Sequence, residues 1–248
     1  MRGQWKMASG SVVGSALMMA VAVMISAPAH AALVTLCGPN VCYEYDNNPG
    51  VNAGITLYQA PSLLGGSDTL EFTPTAFNAT SSNGTSPAGG MATTQAIFQF
   101  TKIYAISGAE IGAMSLTEGG DYRIINGGTV SASVRIQVVD KTNEGSGAFP
   151  EVLTDIQNFN TSAPTGFTPQ NWTLLSTWNP AAQMVDPARV IDLQIQNTLD
   201  AFTYAPGQQA FIAKKLTLVT TVVPVPAAAW LMGSALGMLA WVRRRSRS

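Results

Sequence analysis

The chain has 248 residues, with 13 basic and 14 acidic side chains and a single histidine. Away from the two ends the bases are Lys102, Arg123, Arg135, Lys141, Arg189, Lys214 and Lys215, while every acid lies in this middle part, so its formal charge is near −7. Binding phosphate needs clustered lysine and arginine, and this pattern excludes a nucleic-acid partner.

At the amino end Arg2 and Lys6 precede an apolar run from Val12 to Ile25, followed by Ser26-Ala27-Pro28-Ala29-His30-Ala31. A charged start, a short greasy centre and small residues at −3 and −1 make the layout of a secretory signal peptide over residues 1–31, in helical form. Signal peptidase is then a processing partner, cutting after Ala31, with Ala29 as the second choice. The other reading of the run is a retained signal anchor. Cleavage removes His30, and the mature chain then holds no histidine. That excludes a Ser-His-Asp or Cys-His centre and histidine-bound zinc.

Candidate strands follow in order: Leu33–Cys37, Val41–Asp46, Gly54–Gln59, Thr69–Thr73, Thr94–Ile106, Glu110–Thr117, Tyr122–Ile125, Thr129–Asp140, Trp172–Thr177, Val190–Asn197 and Gln209–Thr220. The best alternation is Val130-Ala132-Val134-Ile136-Val138 against Ser131-Ser133-Arg135-Gln137, the period of a half-buried strand. Glu118-Gly119-Gly120-Asp121 and Asn126-Gly127-Gly128 read as turns, the second as a hairpin turn. The segment Thr75–Thr93 reads as a mobile polar loop. Lys141–Gln170 is a second long polar stretch that could carry a short helix near Glu151–Asn158.

Many short strands with little helical periodicity predict an all-β fold over 32–221, an antiparallel β-sandwich. Jelly-roll-like and Ig-like windings both remain open, and a barrel is the alternative. Cys37 and Cys42, close and even in number in an exported chain, predict a disulfide. They could face each other across a hairpin at Pro39-Asn40, although the fixed φ of Pro39 opposes the tight primed turns and a looser loop fits as well. Closing so small a ring contributes about 2 kcal/mol by chain-entropy arguments.

Without histidine, catalysis would fall to carboxylates, as in a glycosidase with two acids about 5 to 9 Å apart. Glu44 with Asp46, Asp68 with Glu71, and Glu118 with Asp121 are the pairs, and none has a motif around it. Solvated residues at strand ends are the plainer reading, so no catalytic residue is assigned. No cofactor is expected. Asp46-Asn47-Asn48 and the Glu118/Asp121 turn carry oxygen ligands that calcium accepts, but the loop ladder of a calcium hand is missing and no metal residue is assigned. Trp172 and Trp178, with Tyr43, Tyr45 and Tyr204, could form a sugar-stacking platform, or Trp172 and Trp178 could belong to the core. Four N-x-[ST] triplets, at Asn78, Asn83, Asn160 and Asn171, predict exposed backbone.

The chain ends in VVPVPAAAWLMGSALGMLAWVRRRSRS. Residues Ala227–Val242 are uncharged and mostly apolar, about 24 Å as a helix, short of the ~30 Å hydrocarbon core unless the flanks help. Pro224 and Pro226 close the strand before it and can open a helix. Arg243, Arg244, Arg245 and Arg247 remain cytoplasmic under the positive-inside rule, which leaves the body outside the inner membrane. Gly233, Ser234 and Gly237 make one helix face small and suited to a second membrane helix.

Val223-Pro224-Val225-Pro226-Ala227-Ala228-Ala229-Trp230-Leu231, then Gly233-Ser234, then the arginine cluster, resembles the PEP-CTERM sorting signal in its VPLPA-type variant. Pro-Val-Pro stands where Pro-Glu-Pro is usual in the namesake. The resemblance covers residues 222–248 and implies a substrate of exosortase, a membrane transpeptidase, with the tail a transient inner-membrane anchor. It further implies a surface or extracellular protein linked to exopolysaccharide, biofilm or floc formation. A non-enzymatic structural or adhesive role is the leading expectation. A carbohydrate-binding module is the alternative, and a carboxylate glycosidase ranks below it.

Overall fold

A computed structural model describes residues 32–84, 90–142, 150–224 and 238. The signal peptide and most of the tail, with Pro226, Ala227, Ala228, Trp230, Leu231, Gly233, Ser234, Arg243, Arg244, Arg245 and Arg247, lie outside the described residues. Twelve strands run in chain order: β1 (Leu33–Cys37), β2 (Val41–Asp46), β3 (Ser62–Leu63), β4 (Thr69–Phe72), β5 (Asn78–Ser82), β6 (Met91–Ala105), β7 (Met114–Ile125), β8 (Thr129–Asp140), β9 (Val152–Thr161), β10 (Gln170–Trp178), β11 (Val190–Phe202) and β12 (Gln209–Thr221). Two single-turn helices, α1 (Ile55–Tyr58) and α2 (Pro180–Gln183), lie between strands of the described body.

The strands form two antiparallel sheets. One runs β1-β2-β6-β11-β8-β9, the other β10-β7-β12-β4-β3, with β5 on β12 beside β4. The winding is that of a jelly roll, because β8 pairs β9, β7 pairs β10, β6 pairs β11 and β5 pairs β12. A long ribbon of nested antiparallel pairs is rolled up until β11 meets β8 and β12 meets β7. This resolves the winding left open between jelly-roll and Ig-like. The sheets enclose one aromatic and aliphatic core, in which Phe72 and Phe98 meet edge to face with centroids 4.9 Å apart.

Alternation sets which residues point inward, and two bulges reset it. On β8, Val130, Ala132, Val134, Ile136 and Val138 are all buried, as their spacing requires. On β6, Ala96, Phe98 and Phe100 point inward until the register against β2 slips between Glu44 and Tyr45, after which Ile103 and Ala105 take over. On β12 the inward positions are Ala210, Ile212 and Lys214 up to a register shift between Lys214 and Leu216, and Thr217, Val219 and Thr221 beyond it.

Several expectations from the sequence are corrected. Glu118-Gly119-Gly120-Asp121 is not a turn but the middle of the continuous strand β7. The glycines are there because β12 runs close alongside: a Cβ on Gly120 would stand 1.8 Å from the Ala213 carbonyl oxygen. Asn126-Gly127-Gly128 does turn the chain, with three consecutive positive φ angles, but it carries β7 across to β8 in the opposite sheet and makes no hairpin. Gly54–Gln59 is no strand. Ile55 and Tyr58, three apart, bury together as the turn α1, and Gly54 lies against the Ile97 carbonyl, 2.3 Å from where a Cβ would stand. The proposed helix near Glu151–Asn158 is instead the edge strand β9, whose burial alternates with period two. The loop expected over Thr75–Thr93 contains β5, hydrogen-bonded to β12.

The Cys37–Cys42 disulfide is present, its partners directly opposite across β1 and β2 with Cα atoms 4.1 Å apart. Asp68 explains how Pro39 is accommodated in the loop. Its Oδ1 accepts the backbone N–H groups of Asn40 and Val41 at 2.9 and 3.0 Å, so a carboxylate replaces the carbonyl that a tight hairpin would need there.

Candidate functional site

Lys214, Glu118 and Asn197 form a polar centre inside the sandwich. Glu118 is in phase with Met114 and Leu116 on β7, Lys214 with Ala210 and Ile212 on β12, and Asn197 with Ile195 and Leu199 on β11. Alternation therefore drives a carboxylate, an ammonium and a carboxamide into the core along with their apolar neighbours. Glu118 and Lys214 sit on adjacent strands of one sheet, and Asn197 reaches them from the other.

The geometry is tight. Lys214 Nζ donates to Glu118 Oε1 at 2.5 Å, and Asn197 Nδ2 donates to the same oxygen at 2.8 Å. Both side chains of the ion pair are 0% exposed. Asn197 Nδ2 also donates to the Tyr58 hydroxyl. Nζ lies 4.8 Å from the centre of the Tyr58 ring and 5.3 Å from that of Phe77, which wall the site. Lys214 is held there by its backbone N–H, which donates to the Phe77 carbonyl at 2.9 Å. Glu118 Oε2 and Asn197 Oδ1 are buried without a donor. Burial pushes the Lys214 amine down to about 8, against the pull of Glu118, and pushes the Tyr58 hydroxyl well above its ordinary value. This arrangement holds an amine whose charged form is weakened by burial together with a carboxamide on one carboxylate oxygen.

Sequence reading missed this centre. Lys214 stood only among the bases, and Glu118 was placed in a turn with Asp121. The available signal was phase, since each charge falls in the apolar column of its strand. Because residues 118–121 are strand, Glu118 faces the core while Asp121 pairs with Lys215 on the outer face at 2.7 Å. That pair cannot share a calcium ion or a cleft, which corrects both readings of it.

The remaining candidates have structural work to do. Asp46 is buried and caps its own turn, accepting the Asn48 N–H at 2.8 Å, and Asp68 is committed to the Asn40 loop. Among the described residues no group of three metal-ligating side chains occurs. Trp172 and Trp178 are 2% and 6% exposed, and the Trp172 indole donates to the Ala213 carbonyl at 3.0 Å. Alternation on β10 turns both rings inward, so they pack as core residues. Tyr43 and Tyr45 are buried too, and Tyr204 is exposed, with Phe202 5.9 Å away. Asn78, Asn83, Asn160 and Asn171 are all exposed, as their triplets suggested. Open grooves occur on the second sheet, one of about 340 Å³ over Gly119, Gly120, Asn171, Trp172, Thr173 and Lys215, and one of about 410 Å³ over Met114, Thr177 and Trp178. Val223 and Pro224 of the tail are described, with Val223 packed against the core. No described helix is long and apolar enough to cross a membrane.

No protein-family model matches the chain, and no curated protein matches it. Among solved structures it is similar to the enzymatically active domain of bacteriophage CBA120 tailspike protein 4, at 14% identity and a TM-score of 0.22, over 64% of this chain and 17% of that one. It is also similar to a family 30 carbohydrate-binding module, at 12% identity and a TM-score of 0.21, over 63% and 86%. A third likeness is to the infectious bursal disease virus VP2 subviral particle, at 13% identity and a TM-score of 0.17, over 75% and 50%. The chain thus spans about a sixth of the tailspike domain. Likenesses this slight carry no argument, and the winding rests on the strand pairing itself.

Proposed function

We propose that this is an exported, exosortase-sorted protein of the cell surface or extracellular matrix, with a non-enzymatic structural or adhesive role linked to exopolysaccharide or biofilm. The observation that carries the reading is the tail: a proline pair, a short apolar stretch with a small-residue face, and four arginines, in that order. The amino end supports it with a matching export signal. In this reading signal peptidase removes residues 1–31 and exosortase processes the tail, which anchors the chain in the inner membrane until then.

The body supports a scaffold role through what its polar groups do. Asp46 and Asp68 hold backbone N–H groups, and Glu118 is sealed in the core, so each proposed glycosidase pair has a member engaged in holding the fold. The carbohydrate-binding alternative would have to use the open grooves of the second sheet, whose linings include Trp172 and Trp178 although the two are only 2% and 6% exposed.

Mass spectrometry of the protein recovered from the cell surface or medium tests the proposal. The expected mature form starts at Ala32 and ends upstream of Arg243. Recovery of surface protein that still carries Arg243–Ser248 would overturn the sorting reading. Binding of purified polysaccharides in a pull-down would separate an adhesive role through glycans from one through protein contacts.

A further inference from the structure

The Lys214 centre is an awkward way to fill a core. A carboxylate and an ammonium taken out of water cost several kcal/mol each, and that cost is offset only when every polar atom is satisfied. Here Glu118 Oε2 and Asn197 Oδ1 have no partner. An apolar substitution would remove the difficulty, yet three functional groups converge instead, from two different sheets. Because Lys214 Nζ and Asn197 Nδ2 donate to one oxygen, the two nitrogens are at most two hydrogen-bond lengths apart. The amine and the carboxamide are therefore gathered on one carboxylate oxygen, both ionic side chains are sealed from solvent, and the ring faces of Tyr58 and Phe77 close the site. These are the conditions for an amine to act as a nucleophile: burial weighs against its charged form, a base is in contact, and the acceptor is held in place.

We infer that Lys214 and Asn197 join in an intramolecular isopeptide bond, formed by the folded protein itself with Glu118 as the proton carrier. Glu118 takes one proton from the Lys214 ammonium. The freed Nζ electron pair attacks Asn197 Cγ, forming the Nζ–Cγ bond. A second Nζ proton reaches Nδ2, relayed through Glu118, and the Cγ–Nδ2 bond breaks. Ammonia leaves, and the products are a neutral secondary amide and protonated Glu118. The five protons of the starting groups are all accounted for, charge is unchanged, and no oxidant or further reactant is needed. The buried ion pair is thereby abolished, and a covalent strut ties β11 of one sheet to β12 of the other. The inference does not rest on the sorting reading, since it concerns only the body of the chain.

The test is peptide mapping of the purified full chain by mass spectrometry. No lysine or arginine stands between Arg189 and Lys214, so chymotryptic cleavage at Phe202, Tyr204 and Phe211 is added to trypsin to part the two residues. The expected product is then a cross-linked peptide pair containing Asn197 and Lys214, lighter than its two parts by one ammonia, about 17 Da, with tryptic cleavage after Lys214 lost. Fragmentation must place the loss, because succinimide formation at Asn83-Gly84 or Asn126-Gly127 would release the same mass. Glu118→Gln should leave Lys214 and Asn197 in separate peptides at full mass. Wild-type protein that yields Asn197 and Lys214 in separate, unmodified peptides would overturn the inference, whatever the variant does. So would a Glu118→Gln protein cross-linked to the wild-type extent, since the carboxylate would then have no part in the reaction.

Discussion

Asp68 and Asn40 are twenty-eight residues apart in sequence, yet the Asp68 carboxylate accepts both the backbone N–H of Asn40 at 2.9 Å and its side-chain Nδ2 at 2.7 Å. The same carboxylate takes the Val41 N–H, and the Asp68 carbonyl accepts the Tyr43 hydroxyl at 2.6 Å. One residue at the start of β4 therefore fastens the β1–β2 hairpin of the first sheet to the edge of the second. Asp68→Ala should lose about 2 kcal/mol, the scale of hydrogen bonds to a charged acceptor. Urea denaturation checks this; a loss under 0.5 kcal/mol would show that the disulfide alone holds the loop.

Gly120→Ala should be among the most damaging small substitutions in the body. The new Cβ would meet the Ala213 oxygen at 1.8 Å and the Ala213 carbonyl carbon at 2.8 Å, both backbone atoms that cannot rotate away. A loss of about 3 kcal/mol is expected, from overpacking at a rigid contact. Gly119→Ala is the control, with its nearest atom at 3.3 Å. Equal melting temperatures for the two variants would contradict the close approach of β7 and β12.

Trp172→Ala should report on folding before any glycan binding. The ring is 2% exposed and spans the core to Phe159, 6.1 Å away and stacked. Removing it should cost about 4 kcal/mol in cavity and lost contacts. A variant with unchanged thermal stability but lost polysaccharide binding would restore the platform reading.

Ser176 donates to the Asp155 carboxylate, joining the edge strands β10 and β9 of opposite sheets. That hydrogen bond, the largest influence, holds the Asp155 carboxyl below its ordinary 3.8. A depressed folded value means that stability is present above the unfolded value and is lost as pH falls from about 3.8 through the lower folded value. Ser176→Ala should therefore flatten the loss of stability between pH 4 and pH 2, followed by thermal melts across that range. An unaltered acid profile would show that Ser176 does not set the charge state of Asp155.

Much of the β architecture was legible because alternation is a local property. The inward column of β8 can be read from Val130 to Val138 without any neighbour. What misled was chemistry that local rules assign to turns. Gly119 and Gly120 look like a loop until β12 is seen pressing on them, and Asn126-Gly127 turns the chain without pairing the strands on either side. The polar centre was hidden for a related reason. Lys214 and Glu118 are ninety-six residues apart, and only the β7–β12 pairing makes them neighbours.

The sequence by itself determined the disulfide and the strand period, since each depends on composition or on spacing within a few residues, and it alone carries the proposed export and sorting signals. Only the tertiary structure decided the jelly-roll winding, the burial of Trp172 and Trp178, and the meeting of Lys214, Glu118 and Asn197. Those depend on which strands pair and where a bulge reverses the inward face. A single bulged residue moves every later side chain to the other side of the sheet.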